Sequence, residues 1–382
     1  MSDIFIIDAI RSPIGAYLGQ FKKTEAISLG KDCIAEILKR NSKINIKDFE
    51  GLILGQVLTS GLGMNTARQV ALSSGMNQTS FAYTVNQVCG SGMRAVIDGA
   101  LKVSTSECDL IFAGGQESMS RARHTYLSRT AEVKLGDEIL IDTLVNDGLT
   151  DAFSKEHMGI TAENVASKYK VSREQQDKYA VQSYQKAYLA IKKNFFKAEI
   201  IQNSFKDEIR IGTTLEKLSQ LKAVFKKNGT VTAGNASSLN DGASMLALAS
   251  QSYAQANQIK PLAKVLGWSS SAGNPDFMGI TPITAIQKLL KNLSVRMNYF
   301  DLVEINEAFA ATSVAVQNSL KLDPAKLNIA GGAIALGHPI GCSGARVITT
   351  LVHQLKRTKQ KFGIASMCIG GGQGLAIAIE RL

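Results

Sequence analysis

The feature that most constrains the fold of this chain is an internal repeat. The stretch CGSGMRAVIDGALKV, which begins at Cys89, resembles GCSGARVITTLVHQL, which begins at Gly341, when Ser91 is set over Ser343. Downstream of each, a Gly-Gly-Gln triplet recurs, in DLIFAGGQES and in MCIGGGQGLA, and a weaker match joins GLILGQV to LVEINEA. Matches in the same order along the chain indicate that one folding unit has been duplicated.

Strands alternate with helices in each half, which predicts α/β layering. The predicted strands are 4–9, 51–57, 81–86 and 109–114 in the first half, and 262–267, 301–306, 327–330, 363–368 and 374–379 in the second. The middle of the chain does not repeat and is mostly helical and charged. One of its helices is predicted to start after a capping box formed by Ser172 and Gln175.

Composition narrows the class of protein and its compartment. The chain has 382 residues, 45% hydrophobic and 20% charged, which suits two or three compact units. No apolar run reaches the roughly 20 residues that a membrane helix needs, and the first strand shows no signal-peptide pattern. Five cysteines without a CxxC pair predict neither a metal site nor disulfides. We therefore expect a cytoplasmic protein with reduced thiols and no membrane partner.

The net charge of +11 could indicate a polyanionic partner, and over half of it falls within residues 186–227. This segment carries ten lysines and arginines against four acids. No nucleic-acid-binding module accompanies it, so no nucleic-acid partner is expected. Charge alone leaves two interpretations open: a solvated lysine-rich surface, or a wall that faces a phosphorylated small molecule.

The chemistry of the chain is concentrated at glycine-rich turns. Cys89 stands where a strand gives way to a helix, and the positive end of the helix dipole favours its thiolate. His338 lies among glycines in GGAIALGHPIGCSGAR, and Cys368 ends a strand before GGGQG. A buried structural cysteine and a structural histidine are the ordinary interpretations. Together, however, these residues could let one thiolate attack a carbonyl, the histidine activate it, and the second thiol move protons.

At these motifs the chain resembles the thiolase family, and most of all its biosynthetic acetoacetyl-CoA thiolases. The matches run in order along the chain through AIRSPIGAYLG, NQVCGSGMRAV, AGGQESMS, DGLTDAF, HMGITAENVA, GTVTAGNASSLNDGA, EINEAFAA, GGAIALGHPIGCSGAR and CIGGGQG. The resemblance implies a five-layer αβαβα sandwich of two duplicated halves with an inserted, mainly helical loop domain. The first half would comprise 1–120 and 241–261, the loop domain 121–240, and the second half 262–382.

The resemblance also implies the catalytic roles. Cys89 would be the acylated nucleophile, His338 would take its proton, and Cys368 would be the acid/base at the α-carbon of a second acetyl-CoA. One oxyanion hole would use His338 and a water held by Asn306. The other would use the backbone N–H groups of Cys89 and Gly370.

Substrate contacts follow from the same resemblance, motif by motif. Coenzyme A (CoA) would lie along the loop domain, and the basic stretch 186–227 would face its phosphates. The residues implied to line CoA and the acyl group are Leu149, His157, Met158, Arg210, Leu221, Phe225, Ala233, Ser237, Met278, Ala308 and Phe309. Three positions depart from the family pattern: Lys217 replaces a usual serine, LKAVF replaces a Leu-Arg-Pro run, and the loop MSRARHTYLSRT lacks a His-Cys-Ala-His run.

The expected function is therefore the reversible Claisen condensation of two acetyl-CoA to acetoacetyl-CoA and CoA through an acetyl-cysteine. No cofactor is expected, since CoA thioesters are the substrates. A longer-chain 3-ketoacyl-CoA thiolase of fatty-acid β-oxidation is the alternative, and redox sensing through the two cysteines is compatible with either. Cys368 in place of a second catalytic histidine argues against a ketoacyl synthase, and an intact set of key residues argues against a non-catalytic scaffold. A homodimer is expected, and a dimer of dimers joined through the loop 121–141.

Overall fold

A computed structural model describes residues 3–127, 137–202 and 204–382. Its strands are β1 (Ile4–Arg11), β2 (Gly15–Ala16), β3 (Gly51–Gly55), β4 (Phe81–Val85), β5 (Leu110–Ser118), β6 (His124–Thr125), β7 (Ile141–Asp142), β8 (Asn240–Ser250), β9 (Ala263–Ala272), β10 (Leu302–Ile305), β11 (Phe362–Ile369) and β12 (Gln373–Arg381).

Its α-helices are α1 (Ala26–Arg40), α2 (Thr66–Ser73), α3 (Ser91–Ser104), α4 (Met158–Lys168), α5 (Arg173–Lys192), α6 (Leu215–Ser219), α7 (Gln251–Ala256), α8 (Thr281–Leu293), α9 (Ala310–Leu320), α10 (Ala333–Leu336) and α11 (Ile340–Thr358). A π-helical turn at Leu144–Leu149 precedes α4. None of the helices in the described ranges is long and apolar enough to cross a membrane.

The main sheet repeats one strand order in both halves of the chain. Its order is β10-β11-β12-β9-β1-β8-β5-β3-β4, with β2 added on β8. In the first half β3 runs parallel to β5, which is antiparallel to β8; in the second half β10 runs parallel to β11, which is antiparallel to β12. The halves join where β1 pairs with β9 from Ile4↔Val265 to Ile6↔Ala263. The duplication read from the sequence is thus confirmed in the topology.

The helices arrange these strands into five layers. Helices α3 and α11 pack against each other and against strands of both halves, so they form the central layer. Helices α1 and α2 cover the outer face of the first half, and α8 with α9 cover that of the second. The largest buried apolar cluster lies between the halves and draws on α3, α11 and the inner faces of both. The expected αβαβα sandwich is therefore the observed fold.

Two strand predictions were wrong. Strand β8 was missed, although all eleven of its residues are buried between β1 and β5. Its sequence, NDGASMLALAS, is rich in small residues and covered on both faces, so it shows no alternation. The segment 327–330, predicted as a strand, forms only a bridge from Leu327 to Val303. There the side chain of Asn328 accepts from the N–H of Ile305 and donates to its C=O, replacing the strand ladder.

The alignment of the two Gly-Gly-Gln triplets was also wrong. The first triplet lies inside β5, whereas Gly371 and Gly372 form the turn between β11 and β12. Topology makes β5 the counterpart of β11, and Gln116 and Cys368 each follow the serine of their helix by 25 residues. Gln116 therefore occupies the position in the first half that Cys368 occupies in the second.

The non-repeating middle segment is inserted between β5 and β8 and carries β6, β7 and α4 to α6. The predicted capping box at the start of α5 is confirmed. Gln175 N–H donates to Ser172 Oγ at 3.2 Å, and Ser172 N–H donates to Gln175 Oε1 at 2.8 Å. Of the loop 121–141, the part from 128 to 136 lies outside the described residues.

Candidate active site

Cys89 lies in a tight turn directly before α3, as its sequence position predicts. The turn is strained, because Val88 has φ +46°, a conformation that is rare for a β-branched residue. Two side chains hold it: Asn86 Oδ1 accepts from Val88 N–H at 3.0 Å, and Ser91 Oγ donates to Val88 C=O at 2.6 Å. The nucleophile candidate thus sits on a conformation that its neighbours enforce.

The Cys89 thiol meets two backbone donors, its own N–H and that of Gly370 from the β11–β12 turn. These donors favour the thiolate, but burial outweighs them and raises the pKa of Cys89 to about 11. The expected lowering of this pKa by the helix dipole is therefore wrong, since desolvation of the thiolate is the larger effect. The same two N–H groups are the pair predicted as an oxyanion hole.

His338 is buried and held at both ring nitrogens. Its Nδ1 lies 2.6 Å from Ser343 Oγ, and that hydroxyl is also 2.9 Å from the C=O of Pro339, to which it donates. Nδ1 then carries the proton, which leaves Nε2 as an acceptor. Burial lowers the pKa of His338 to about 3, and the positive charge of Arg346 adds to this. The imidazole is neutral and presents an unprotonated Nε2.

Asn306 supports the same tautomer. Its Nδ2 lies 3.4 Å from His338 Nε2, where the amide can only donate to an unprotonated nitrogen. The amide orientation is set by Arg346, which donates to Asn306 Oδ1 at 3.4 Å and pairs with buried Glu304 at 3.2 Å. The histidine and asparagine predicted to form an oxyanion hole are thus adjacent, and a buried ion pair orients them.

Cys368 lies at the end of β11, opposite Gly374, and is buried. Burial raises the pKa of its thiol to about 12, and the charge of Cys89 adds to this, which places the two thiols near each other. The predicted acyl-group residue Met278 and the predicted CoA residues Ala308 and Phe309 pack in one cluster with Cys368, and Met158 and Phe225 pack against it. The structure therefore places the second thiol in a buried apolar cluster.

Other predicted CoA residues contact members of this cluster. His157 stacks on Phe225 with ring centroids 4.6 Å apart, and Ser237 N–H donates to the C=O of Ala308 at 2.9 Å. Leu149 packs in the neighbouring cluster, which includes Cys89.

The other three predicted CoA contacts form an outer group. Arg210 is exposed and donates to the C=O of Ala233 at 2.9 Å. The Leu221 side chain covers Gly234, the residue after Ala233. A Cβ on Gly234 would lie 2.6 Å from Leu221 Cδ1. Arg210, Leu221 and Ala233 thus lie close together, and Arg210 is the charged member of the group.

Several residues at the site were not singled out from the sequence. Ser343 and Arg346 served only as markers of the repeat, although they fix His338 and Asn306. Glu117, which is fully buried, accepts from the N–H groups of Val57, Leu58 and Gly341, and so joins the turn after β3 to the start of α11. Burial raises its pKa to about 7. The Ser-Gly-x-Arg pattern shared by the two repeats was the sequence signal that could have identified Ser343 and Arg346.

This site lies on a chain that matches two family models along nearly its whole length. The model described as "Thiolase, N-terminal domain" matches residues 4–252, and "Thiolase, C-terminal domain" matches residues 259–381. An acetyl-CoA acetyltransferase of Rhizobium meliloti is 45% identical over 390 residues, which covers 99% of each chain.

Solved structures show the same relationship. The crystal structure of the Bacillus anthracis acetyl-CoA acetyltransferase matches with a TM-score of 0.96 and 38% identity, covering 100% of this chain and 99% of that one. Human mitochondrial 3-ketoacyl-CoA thiolase in complex with CoA matches with a TM-score of 0.96 and 40% identity, covering 100% and 98%. The chain belongs to the thiolase family and is an enzyme of that family.

Proposed function

We propose that this enzyme is an acetyl-CoA C-acetyltransferase, which condenses two acetyl-CoA to acetoacetyl-CoA and CoA reversibly through an acetyl group on Cys89. The observation that carries the proposal is the pairing of two neighbouring thiols, one beside two backbone N–H donors and one in a buried apolar cluster, in a chain that also holds a neutral imidazole against Asn306. Cys89, Cys368 and His338 come from three separate segments; Cys368 and His338 are buried and Cys89 is partly buried, and the pKa shifts leave each in the protonation state that its proposed step requires. CoA thioesters are the only substrates, and no cofactor enters the chemistry.

In the first half-reaction, Cys89 attacks the thioester carbonyl of acetyl-CoA. Its proton passes to His338 Nε2, which the Ser343 and Asn306 contacts leave unprotonated. The oxyanion accepts hydrogen bonds from the N–H groups of Cys89 and Gly370. The C–S bond to CoA then breaks, and the Cys368 thiol protonates the leaving sulfur, so that CoA departs as a thiol and Cys368 remains as a thiolate.

In the second half-reaction, the Cys368 thiolate removes a proton from the methyl group of a second acetyl-CoA. The resulting enolate attacks the acetyl carbonyl on Cys89 and forms the new carbon–carbon bond. Cys89 leaves as a thiolate and recovers its proton from His338, which restores both thiols. The enolate oxygen would be held by His338 and by a water on Asn306, donors of the kind that each contribute on the order of 10²–10³ in rate.

CoA would run from the pocket along the loop domain, past the stacked rings of His157 and Phe225 to Arg210 and Leu221. The basic segment 186–227 would face its phosphates, which gives the excess positive charge a role. In this arrangement Met158 and Met278 border the acyl group, since both pack in the cluster with Cys368.

The cytoplasm is the proposed compartment.

The alternative is a longer-chain 3-ketoacyl-CoA thiolase, which performs the same chemistry with a wider pocket. One structural neighbour bears that name and another is an acetyl-CoA acetyltransferase, at similar identities. The packing of Met158, Met278 and Phe309 beside Cys368 favours a short acyl group. CoA-dependent cleavage of acetoacetyl-CoA and of a medium-chain 3-ketoacyl-CoA should be compared; a kcat/KM higher for the longer substrate would reverse the assignment.

The roles of the two cysteines can be tested by intact mass spectrometry. The Cys368→Ala variant should still take one acetyl group from acetyl-CoA, more slowly because CoA then leaves as a thiolate without an acid, and should fail to condense. The Cys89→Ala variant should lose both the adduct and turnover. Buried Cys108, remote from the site, offers a control as Cys108→Ala. An adduct and turnover retained in Cys89→Ala would mean that the roles are reversed.

A further inference from the structure

The two N–H groups that meet at the Cys89 sulfur come from different halves of the chain, and a pair of glutamine side chains links their segments. Gln87 stands two residues before Cys89, and Gln373 stands three residues after Gly370. Gln87 Nε2 donates to Gln373 Oε1 at 2.8 Å. Both side chains are half-buried, which protects the bond from competing water.

The direction of this amide pair is fixed by Arg94. Its Nε donates to Gln87 Oε1 at 3.1 Å, so the NH₂ group of Gln87 must face Gln373. The same guanidinium donates to Ser270 Oγ on β9 at 2.9 Å and pairs with Asp98 at 3.4 Å. Arg94 therefore holds Gln87 against the second half of the molecule at a defined place.

The turn that carries Cys89 needs such support, because Val88 keeps a left-handed conformation. Strained backbone persists only where the surroundings over-determine it. Asn86 and Ser91 hold the turn from within its own segment, while the Gln87–Gln373 bond is its side-chain link to the segment that carries Gly370.

We propose that Gln87 and Gln373 form an interdomain clamp that sets the separation of the Cys89 and Gly370 N–H groups, and hence the geometry of the oxyanion hole. This inference rests on the proposed acyl transfer to Cys89. Both glutamines are positioning residues that act through the two backbone donors. Misplacing one donor weakens binding of the oxyanion that forms in the transition state more than binding of the ground-state thioester.

Two reactions of the Cys89 thiol distinguish this positioning role from a general structural role. Acetylation of Cys89 by acetyl-CoA passes through an oxyanion, whereas alkylation by iodoacetamide, a displacement at a saturated carbon, does not. The Gln373→Met variant keeps the length of the side chain and removes the acceptor, while Gln373→Glu keeps an oxygen for Gln87 Nε2. Both rates should be measured by intact mass spectrometry in the Cys368→Ala background, with melting temperature as the folding control.

The expected result is that Gln373→Met slows acetylation at least tenfold more than alkylation, a loss on the scale of weakening one oxyanion donor. In the enzyme with Cys368 intact, the loss should fall on kcat rather than KM, and Gln373→Glu should recover most of it. Gln87→Met removes this bond and the contact from Arg94, so it should slow acetylation at least as much as Gln373→Met does. The double variant should cost no more than Gln87→Met alone, because Gln373→Met then has no further bond to remove.

Equal slowing of acetylation and alkylation, or additive losses in the double variant, would overturn the proposal. If Gln87→Met does not fold, the comparison of Gln373→Met with Gln373→Glu decides alone. Failure of the proposed function gives a different result. In that case the enzyme with both glutamines intact would take no acetyl group from acetyl-CoA.

Discussion

At the scale of single residues, the thiols of Cys89 and Cys368 and the imidazole of His338 rest uncharged. The thiol of Cys89 has a pKa raised to about 11 by burial, and the pKa of His338 is lowered to about 3 by burial and by Arg346. These shifts argue against a preformed thiolate–imidazolium pair, so under the proposed mechanism proton transfer would accompany attack. The two N–H groups at the sulfur would then stabilise the charge as it forms.

This protonation state predicts the pH dependence of Cys89 alkylation. Below its pKa, a thiol becomes tenfold more ionised for each unit that the pH rises. The rate of iodoacetamide addition to Cys89 should therefore climb from pH 6 to 9 with a logarithmic slope near one. Mass mapping of the Cys89 peptide gives the alkylation rate of Cys89 separately from that of Cys368. The Cys89→Ala variant then gives the rate of Cys368 alone. A plateau at or below pH 7 would indicate an ion pair instead.

Asn306 allows a second prediction at this scale. Its replacement by alanine removes the amide proposed to hold a water at the enolate oxygen, so turnover should fall by about 10²–10³. Circular dichroism should be unchanged, since one side chain is lost without moving β10. Asn318→Ala, an exposed change on α9, is the matched control. Full turnover in the Asn306→Ala variant would exclude the role.

The residues missed from the sequence share one property, which is that they act through others. Cys89, His338 and Cys368 could be found because glycine turns mark their positions along the chain. Gln87 and Gln373 lie 286 positions apart, and no local pattern shows that their amides meet. Sequence patterns mark reactive residue types at special backbone turns, whereas the orientation of those residues depends on contacts that only the fold creates.

At the scale of elements, the two central helices are related by the repeat and cross at their repeated glycines. A Cβ on Gly92 would lie 2.8 Å from the backbone of α11, and a Cβ on Gly344 would lie 2.3 Å from the N atom of Met93 on α3. Gly115 in β5 faces the same crossing, since its Cβ would lie 2.1 Å from the C=O of Gly341. The repeated Ser-Gly-x-Arg motif therefore brings backbones together as well as orienting amides.

This crossing predicts a sharp difference between two glycine substitutions. Gly344→Ala must push α3 and α11 apart, and such overpacking costs about 1–3 kcal/mol of the free energy of unfolding. Gly273→Ala is the control, because its Cβ would meet nothing within 4 Å. Urea denaturation of both variants makes the comparison. Equal stability of the two would show that the central helices adjust without cost.

The errors of strand prediction also belong to this scale. The repeat predicted the layered sandwich, since two copies of one α/β unit must bury their apolar faces against each other. Strand β8 was missed because its small residues are buried on both faces and so lack alternation. The triplet alignment failed because Gly-Gly-Gln serves a strand interior in one half and a turn in the other. For aligning the two halves, the identical Gly-Gly-Gln triplets were a poorer guide than the equal spacing of Gln116 and Cys368 from the serines of their helices.

At the scale of the whole molecule, the edges of the fold indicate where copies would meet. Strand β4 ends the main sheet, and all five of its residues are partly exposed. Near the undescribed stretch 128–136, Leu127 is 71% exposed, Ile139 81% and Leu140 61%. An edge strand and exposed apolar side chains are features that oligomers cover. We expect a dimer through β4 and a dimer of dimers through the loop 121–141.

The β4 edge can be tested with a single proline. Phe81 N–H donates to Glu50 C=O, and Val85 C=O accepts from Gln56 N–H, so alternate residues of β4 face β3 and the N–H of Ala82 faces outward. Ala82→Pro therefore removes one outward donor while sparing the bonds to β3. Light scattering should give dimers or tetramers for the unaltered chain and for Ala82→Ser, and monomers for Ala82→Pro. A monomeric unaltered chain at micromolar concentration would refute both assemblies, and a proline variant that stays associated would place the interface elsewhere.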